Sequence, residues 1–212
     1  MEHWALVSGL HRDLDLYARI QNDLRTRRGV AHLFVLGDMI SPDRDCIALL
    51  TRLRRQERGD QQAVELQRQN NPMALEQLWA AVKPEHLNWL ASLQFGFIEL
   101  DCGLIHGSSA DVGDELHEAT SPLILLDRLT HLDVNRLFTA CSGRQFRLQL
   151  TGGQIRSRLK DHACEQLQEQ PVPKRSVIGI GCGEHYTLYD PASDHTEFLS
   201  VDERSGNSGS SW

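Results

Sequence analysis

The chain has 212 residues and a formal net charge of -7, from 22 basic against 29 acidic residues. With 40% hydrophobic and 24% charged residues, it has the make-up of an ordinary soluble domain. The acidic balance excludes a general nucleic-acid footprint, which needs Lys and Arg gathered on one face, and no apolar run approaches the ~18–20 residues that span a bilayer. The first residues, Met1 to Ser8, lack the basic start and long apolar stretch of a secretory leader. Five cysteines (Cys46, Cys102, Cys141, Cys164 and Cys182) are scattered without a CxxC pair, which fits reduced thiols and a cytoplasmic location.

In chain order, His3 to Ser8 reads as a strand buried on both faces. Asp13 opens a helix whose Leu14, Leu16, Tyr17, Ile20 and Leu24 recur at three- and four-residue steps, and Gly29 closes it. His32 to Leu36 is a second buried strand, ending at Gly37 and Asp38. Ser41, Pro42 and Asp43 form a helix start ahead of Cys46 to Gln56. A short strand, Ala63 to Leu66, runs into the polar loop Gln67 to Pro72, and helices are expected over Met73 to Val82 and Glu85 to Leu93. Phe95 to Leu100 and Gly103 to His106 read as a hairpin. Asp114 to Leu132 reads as mainly helical, with an interruption at Ser121 and Pro122.

From Leu137 onward the runs Leu137 to Cys141, Phe146 to Leu150, Val177 to Ile180, Tyr186 to Tyr189 and Thr196 to Val201 read as strands. Alternation in several of them predicts antiparallel pairing. Residues 152–173 give no pattern from which a structure is read. We expect one domain over residues 1–202 and a flexible tail over 203–212, where small polar residues cannot build a core.

Ligands of open α/β sheets collect beyond the carboxyl ends of the strands. Those ends carry Ser8-Gly9-Leu10-His11, Gly37-Asp38, Gln69-Asn70-Asn71, His106-Gly107 and Cys141-Ser142-Gly143. Each alone is as well explained by a hydrogen-bonded turn, and Cys141 by an inert buried thiol. Gly179, Gly181 and Gly183 lack the Lys that follows a phosphate loop, and read as a tight turn beside the site. Five such ends in this order are more informative.

That order resembles the calcineurin-like metallophosphoesterase superfamily, in particular its small bacterial and archaeal phosphodiesterase branch. The family's strand-end motifs are Ser-Asp-x-His-Gly, Gly-Asp, Gly-Asn-His-Asp, His-Gly and Gly-His-x-His. Ser8 to Arg12 stands at the first, Gly37-Asp38 at the second and Gln69 to Pro72 at the third. Leu104 to Ser108 stands at the fourth and Ala140 to Gly143 at the last. The resemblance implies an α/β/β/α sandwich of two mixed sheets flanked by helices, and a two-metal phosphoester hydrolase chemistry.

It also implies losses. Gly9 replaces the first motif's Asp, Gly143 replaces the last motif's terminal His, and Asn71 and Pro72 replace the general-acid His and its Asp. The metal candidates that survive are Asp38, Asn70, His106, Cys141 and His11, and the substrate-facing candidates are Asn71 and His185. Two functions are therefore expected. The first is a degenerate, catalytically inactive scaffold that binds a protein partner or a phosphate-containing small molecule. The alternative is a phosphohydrolase with no more than one divalent transition metal, such as zinc or manganese. Self-association into a homo-oligomer is a further expectation carried by the resemblance alone.

Overall fold

Alternation along β1 (His3–Val7) and β2 (Val30–Val35) sets the layers. Trp4 and Leu6 with Phe34 and Leu36 join one buried cluster, while Ala5 and Val7 with Leu33 and Val35 join another. A two-residue period can serve two cores only if the sheet is covered on both faces. We describe the fold from a computed structural model, whose described residues are 2–11, 13–27, 29–39, 61–64, 84–94, 96–111, 113–150, 155–157, 168–170 and 174–201.

The remaining strands are β3 (Gln61–Val64), β4 (Gly96–Glu99), β5 (Cys102–Ile105), β6 (Arg136–Thr139), β7 (Gln145–Leu150), β8 (Ile155–Ser157), β9 (Gln168–Gln170), β10 (Arg175–Ile180), β11 (His185–Asp190) and β12 (His195–Ser200). The first sheet has the order β12-β11-β1-β2-β3 and the second β4-β5-β6-β10-β7, with β8 and β9 paired separately. In the first, β1, β2 and β3 are parallel, and β11 and β12 run antiparallel beside them. In the second, β5, β6 and β10 are parallel, with β4 and β7 antiparallel at the edges.

Helix α1 (Leu14–Thr26) starts at Asp13, whose side chain accepts from the Leu16 N–H at 2.8 Å. It buries Leu16, Tyr17, Ile20 and Leu24 against the outer face of the first sheet. Trp89, in α2 (Pro84–Ala91), and Leu93 pack against the same cluster. Between the sheets lie Trp4, Leu6, Phe34, Leu104, Phe138, Ile178 and Tyr189. There the rings of Trp4 and Phe34 meet edge-on with centroids 5.2 Å apart, and those of Phe138 and Tyr189 at 4.8 Å. Helix α3 (Pro122–Leu132) covers the far face of the second sheet, setting Leu125 and Leu129 against Ile105, Leu137 and Val177. Helix, sheet, sheet, helix is the expected four-layer order, and three apolar seams hold it together.

Two local expectations are corrected. Residues 114–120 are not helical, and the helix begins only at Pro122. Short polar side chains divert the backbone there: the Ala110 N–H donates to Ser108 Oγ, Gly113 N–H to Asp111 Oδ1, and His117 N–H to Thr120 Oγ1. Such local bonds compete with helical ones. β6 is parallel to both its neighbours, so the C-terminal strands are not uniformly antiparallel. The expected helices over 46–56 and 73–82 lie outside the described residues. Among the described residues, no helix is long and apolar enough to cross a membrane.

Candidate functional site

Backbone bonds tie the carboxyl end of β1 to that of β2 and the carboxyl end of β5 to that of β6, and the His106 side chain links the two pairs. The Leu36 N–H donates to the Val7 carbonyl at 2.8 Å, and the His11 N–H donates to the Asp38 carbonyl at 2.9 Å. The N–H groups of Ala140 and Cys141 both donate to the His106 carbonyl, at 2.8 and 2.7 Å. Thr139 Oγ1 donates to the carbonyls of His106 and Gly107. The turn between β10 and β11 joins them, its Gly183 N–H donating to the Ser8 carbonyl at 2.9 Å.

His106 is the centre of this cluster. Its side chain is wholly buried, with Nδ1 2.8 Å from the Leu36 carbonyl. A carbonyl only accepts, so Nδ1 carries the hydrogen and donates. Nε2 faces Asp38, whose Oδ2 is 3.8 Å away. The ring packs closely on Gly37, where a Cβ would come within 2.5 Å of Nδ1, and Gly37 has φ +79°. Asp38 follows at φ +52° and His11 stands at φ +38°. Consecutive left-handed residues at a strand end are unusual for non-glycines and collect at functional sites.

Asp38 and His106 are thus brought together, as the sequence predicted. Cys141 sits one residue past the Ala140 that binds His106. Burial pushes its thiol up to about 11, and the charges of Glu115, Asp38, Asp114 and Asp111 push in the same direction. His11 is exposed and joins through its backbone. His185 is exposed at the start of β11, its Cβ packed over Gly181. Asn70 and Asn71 lie outside the described residues.

Two partners of the site were missed by sequence reasoning. Ser8 Oγ donates to the same Leu36 carbonyl that receives His106 Nδ1, at 2.8 Å. Cys182, in the glycine turn, lies against both Gly9 and Gly143. Its burial raises the thiol, as does the charge of Asp38. The available signal for Cys182 was its place between Gly181 and Gly183.

Among the described residues, the donor set does not make up a binuclear centre. Gly9 and Gly143 offer no side chain where the resemblance places an Asp and a His. Among the described residues, no three His, Cys, Asp or Glu side chains converge as a metal site. The described residues bring together a buried imidazole whose Nδ1 is bonded to Leu36 and one carboxylate, in an acidic surround.

No protein-family model and no curated protein sequence matches the chain. Solved structures do. A metallophosphoesterase from Sphaerobacter thermophilus is 16% identical with a TM-score of 0.67, the match covering 96% of this chain and 89% of that one. A hypothetical protein from Pyrococcus horikoshii OT3 is 10% identical with a TM-score of 0.66, over 96% and 90%. A cold-active protein-tyrosine phosphatase from a psychrophilic Shewanella species is 13% identical with a TM-score of 0.53, over 94% and 81%. At these identities the likeness speaks for the fold. With two mixed sheets flanked by helices and the strand-end order of its motifs, the chain has the calcineurin-like metallophosphoesterase fold.

Proposed function

We propose that this chain is a metallophosphoesterase-like scaffold without hydrolytic activity, one domain over residues 1–202 with a tail over 203–212, that binds a protein or a phosphate-containing ligand in the cytoplasm. The supporting observation is the pairing of retained Asp38 and His106 with glycines at positions 9 and 143. Two dications ~3.5–4 Å apart need several carboxylates and imidazoles to neutralise and grip them. Among the described residues, the one carboxylate and one imidazole that meet here, Asp38 and His106, fall well short of that. The interlocked backbone bonds around His106 fit a role in which the strand ends are kept rigid as a platform.

The test is hydrolysis of phosphomonoesters, phosphodiesters and cyclic nucleotides with manganese, zinc, nickel or cobalt. Nothing above background is expected. Activity that disappears in Asp38→Ala and in His106→Ala ends this reading.

One observation favours a second reading, a phosphohydrolase with a single metal at Asp38, Asn70, His106 and Cys141. A metal-binding histidine usually donates its other ring N–H to a carbonyl, which fixes the tautomer, and His106 Nδ1 does so to Leu36. This reading expects one tightly held metal per chain, lost in Cys141→Ser. Elemental analysis of protein purified without chelators separates the two.

A further inference from the structure

Gly9 and Gly143 are more than missing ligands, because both are in tight contact with one side chain. A Cβ at Gly9 would lie 2.8 Å from Cys182 Cβ and 3.0 Å from the Gly183 nitrogen. A Cβ at Gly143 would lie 3.0 Å from Cys182 Sγ. These two glycines stand at the ends of different sheets, yet the same cysteine reaches both. Contacts this short require a neighbour to move. At Gly143 that neighbour is a thiol at the end of a side chain. At Gly9 it is a Cβ and a backbone nitrogen, held by the 2.9 Å bond from Gly183 N–H to Ser8.

We propose that Cys182 fills the space that side chains at positions 9 and 143 would need to hold a metal, and that Gly9, Gly143 and Cys182 form one steric unit, the cysteine adding to the constraint that the left-handed backbone (φ +66° at Gly9, +65° at Gly143) already sets on both glycines. An Asp placed at 9 and a His placed at 143 then cannot come together as metal ligands while Cys182 is present. That positions 9 and 143 are ligand positions rests on the fold reading, whereas the steric coupling rests on distances alone.

The test is a double-mutant cycle read by thermal unfolding, joined to metal titration of the same proteins. Gly143→His is expected to lower Tm by at least about 3 °C more in the parent than in a Cys182→Gly background. Gly143→Ala against Cys182→Ala is the milder pair, and the same direction is expected if the histidine variant does not fold. For metal, Gly9→Asp/Gly143→His is expected to take up no more manganese than the parent by calorimetry. Adding Cys182→Gly is expected to raise uptake by about one equivalent.

Tm losses that simply add, or equal uptake with and without Cys182, overturn the steric unit. Those results leave the scaffold reading intact, and Asp38-dependent hydrolysis by the parent would end the scaffold reading without touching the coupling.

Discussion

Asp38 Oδ2 stands 3.8 Å from His106 Nε2, and the two residues are unequally enclosed: the imidazole is 0% exposed and the carboxylate 24%. The distance is long for a hydrogen bond and short for a pair of charges. What fixes the geometry is the other side of the ring, where Nδ1 is bonded to Leu36 and Gly37 forms the floor. His106 is held by the fold, and Asp38 is the partly exposed member of the pair.

This asymmetry sets opposite consequences for the two positions. His106→Ala removes a fully buried ring and its bond to Leu36, at about 2–4 kcal/mol. For a chain of this size that is roughly 4–16 °C in Tm. Asp38→Asn keeps a residue that tolerates φ +52° and changes a partly exposed group whose 3.8 Å contact with His106 is too long for a hydrogen bond, so a change within about 1 kcal/mol is expected. Thermal unfolding of both variants checks the contrast, and a large loss in Asp38→Asn would show that its carboxylate is gripped by something tighter than His106.

Metal removal gives an independent check on the same pair. A ligand that binds only the folded state raises stability by mass action. If Asp38 and His106 hold no ion, dialysis against EDTA leaves Tm within about 1 °C. A drop on chelation that is restored by zinc or manganese would support the single-metal phosphohydrolase instead.

Gly37→Ala tests how tightly the site is built. The added Cβ would sit 2.5 Å from His106 Nδ1 and 2.7 Å from its Cγ, at a backbone φ of +79°. Neither the ring nor the strand end has freedom to yield. A loss of about 2–4 kcal/mol is expected, through strain and overpacking together. Urea unfolding with an unchanged m-value would confirm that the folded state alone is affected.

How much of this was legible depended on how local the cause was. β1 and β2 could be read because His3 to Ser8 and His32 to Leu36 are short apolar runs of the kind a strand buried on both faces needs, and α1 because its apolar residues recur at helical steps after Asp13. The pairing of Asp38 with His106 was read from strand ends, since parallel strands deliver their carboxyl ends to one edge. Residues 114–120 were misread because Leu116 and its neighbours look helical while Ser108, Asp111 and Thr120 take the backbone donors. The parallel setting of β6 and the contact of Cys182 with Gly9 were not legible. Both arise between segments distant in sequence, and neither leaves a periodic trace.

A last prediction concerns Asp194, which joins the two sheets at a place the sequence did not mark. In the turn after β11, its carboxylate accepts from Arg136 Nε at 2.6 Å, Arg147 Nη2 at 2.9 Å and the Tyr189 hydroxyl at 3.1 Å. Burial works against the charged form, but the hydrogen bond from Arg136 and the charges of Arg136 and Arg147 outweigh it and hold the carboxyl below its ordinary value. A carboxyl depressed in the folded state binds its proton more readily when unfolded. Its contribution is therefore complete above the unfolded value near pH 4 and is lost as pH falls through the lower folded value. Asp194→Asn is expected to cost about 1–2 kcal/mol at pH 7, at the low end for charged bonds because the carboxylate is 37% exposed. The difference in Tm between parent and variant should be constant from pH 7 to about pH 5 and shrink below pH 4. A gap that persists at pH 2 would mean that Asp194 acts through the shape of its turn, at φ +55°, and that its charge contributes little.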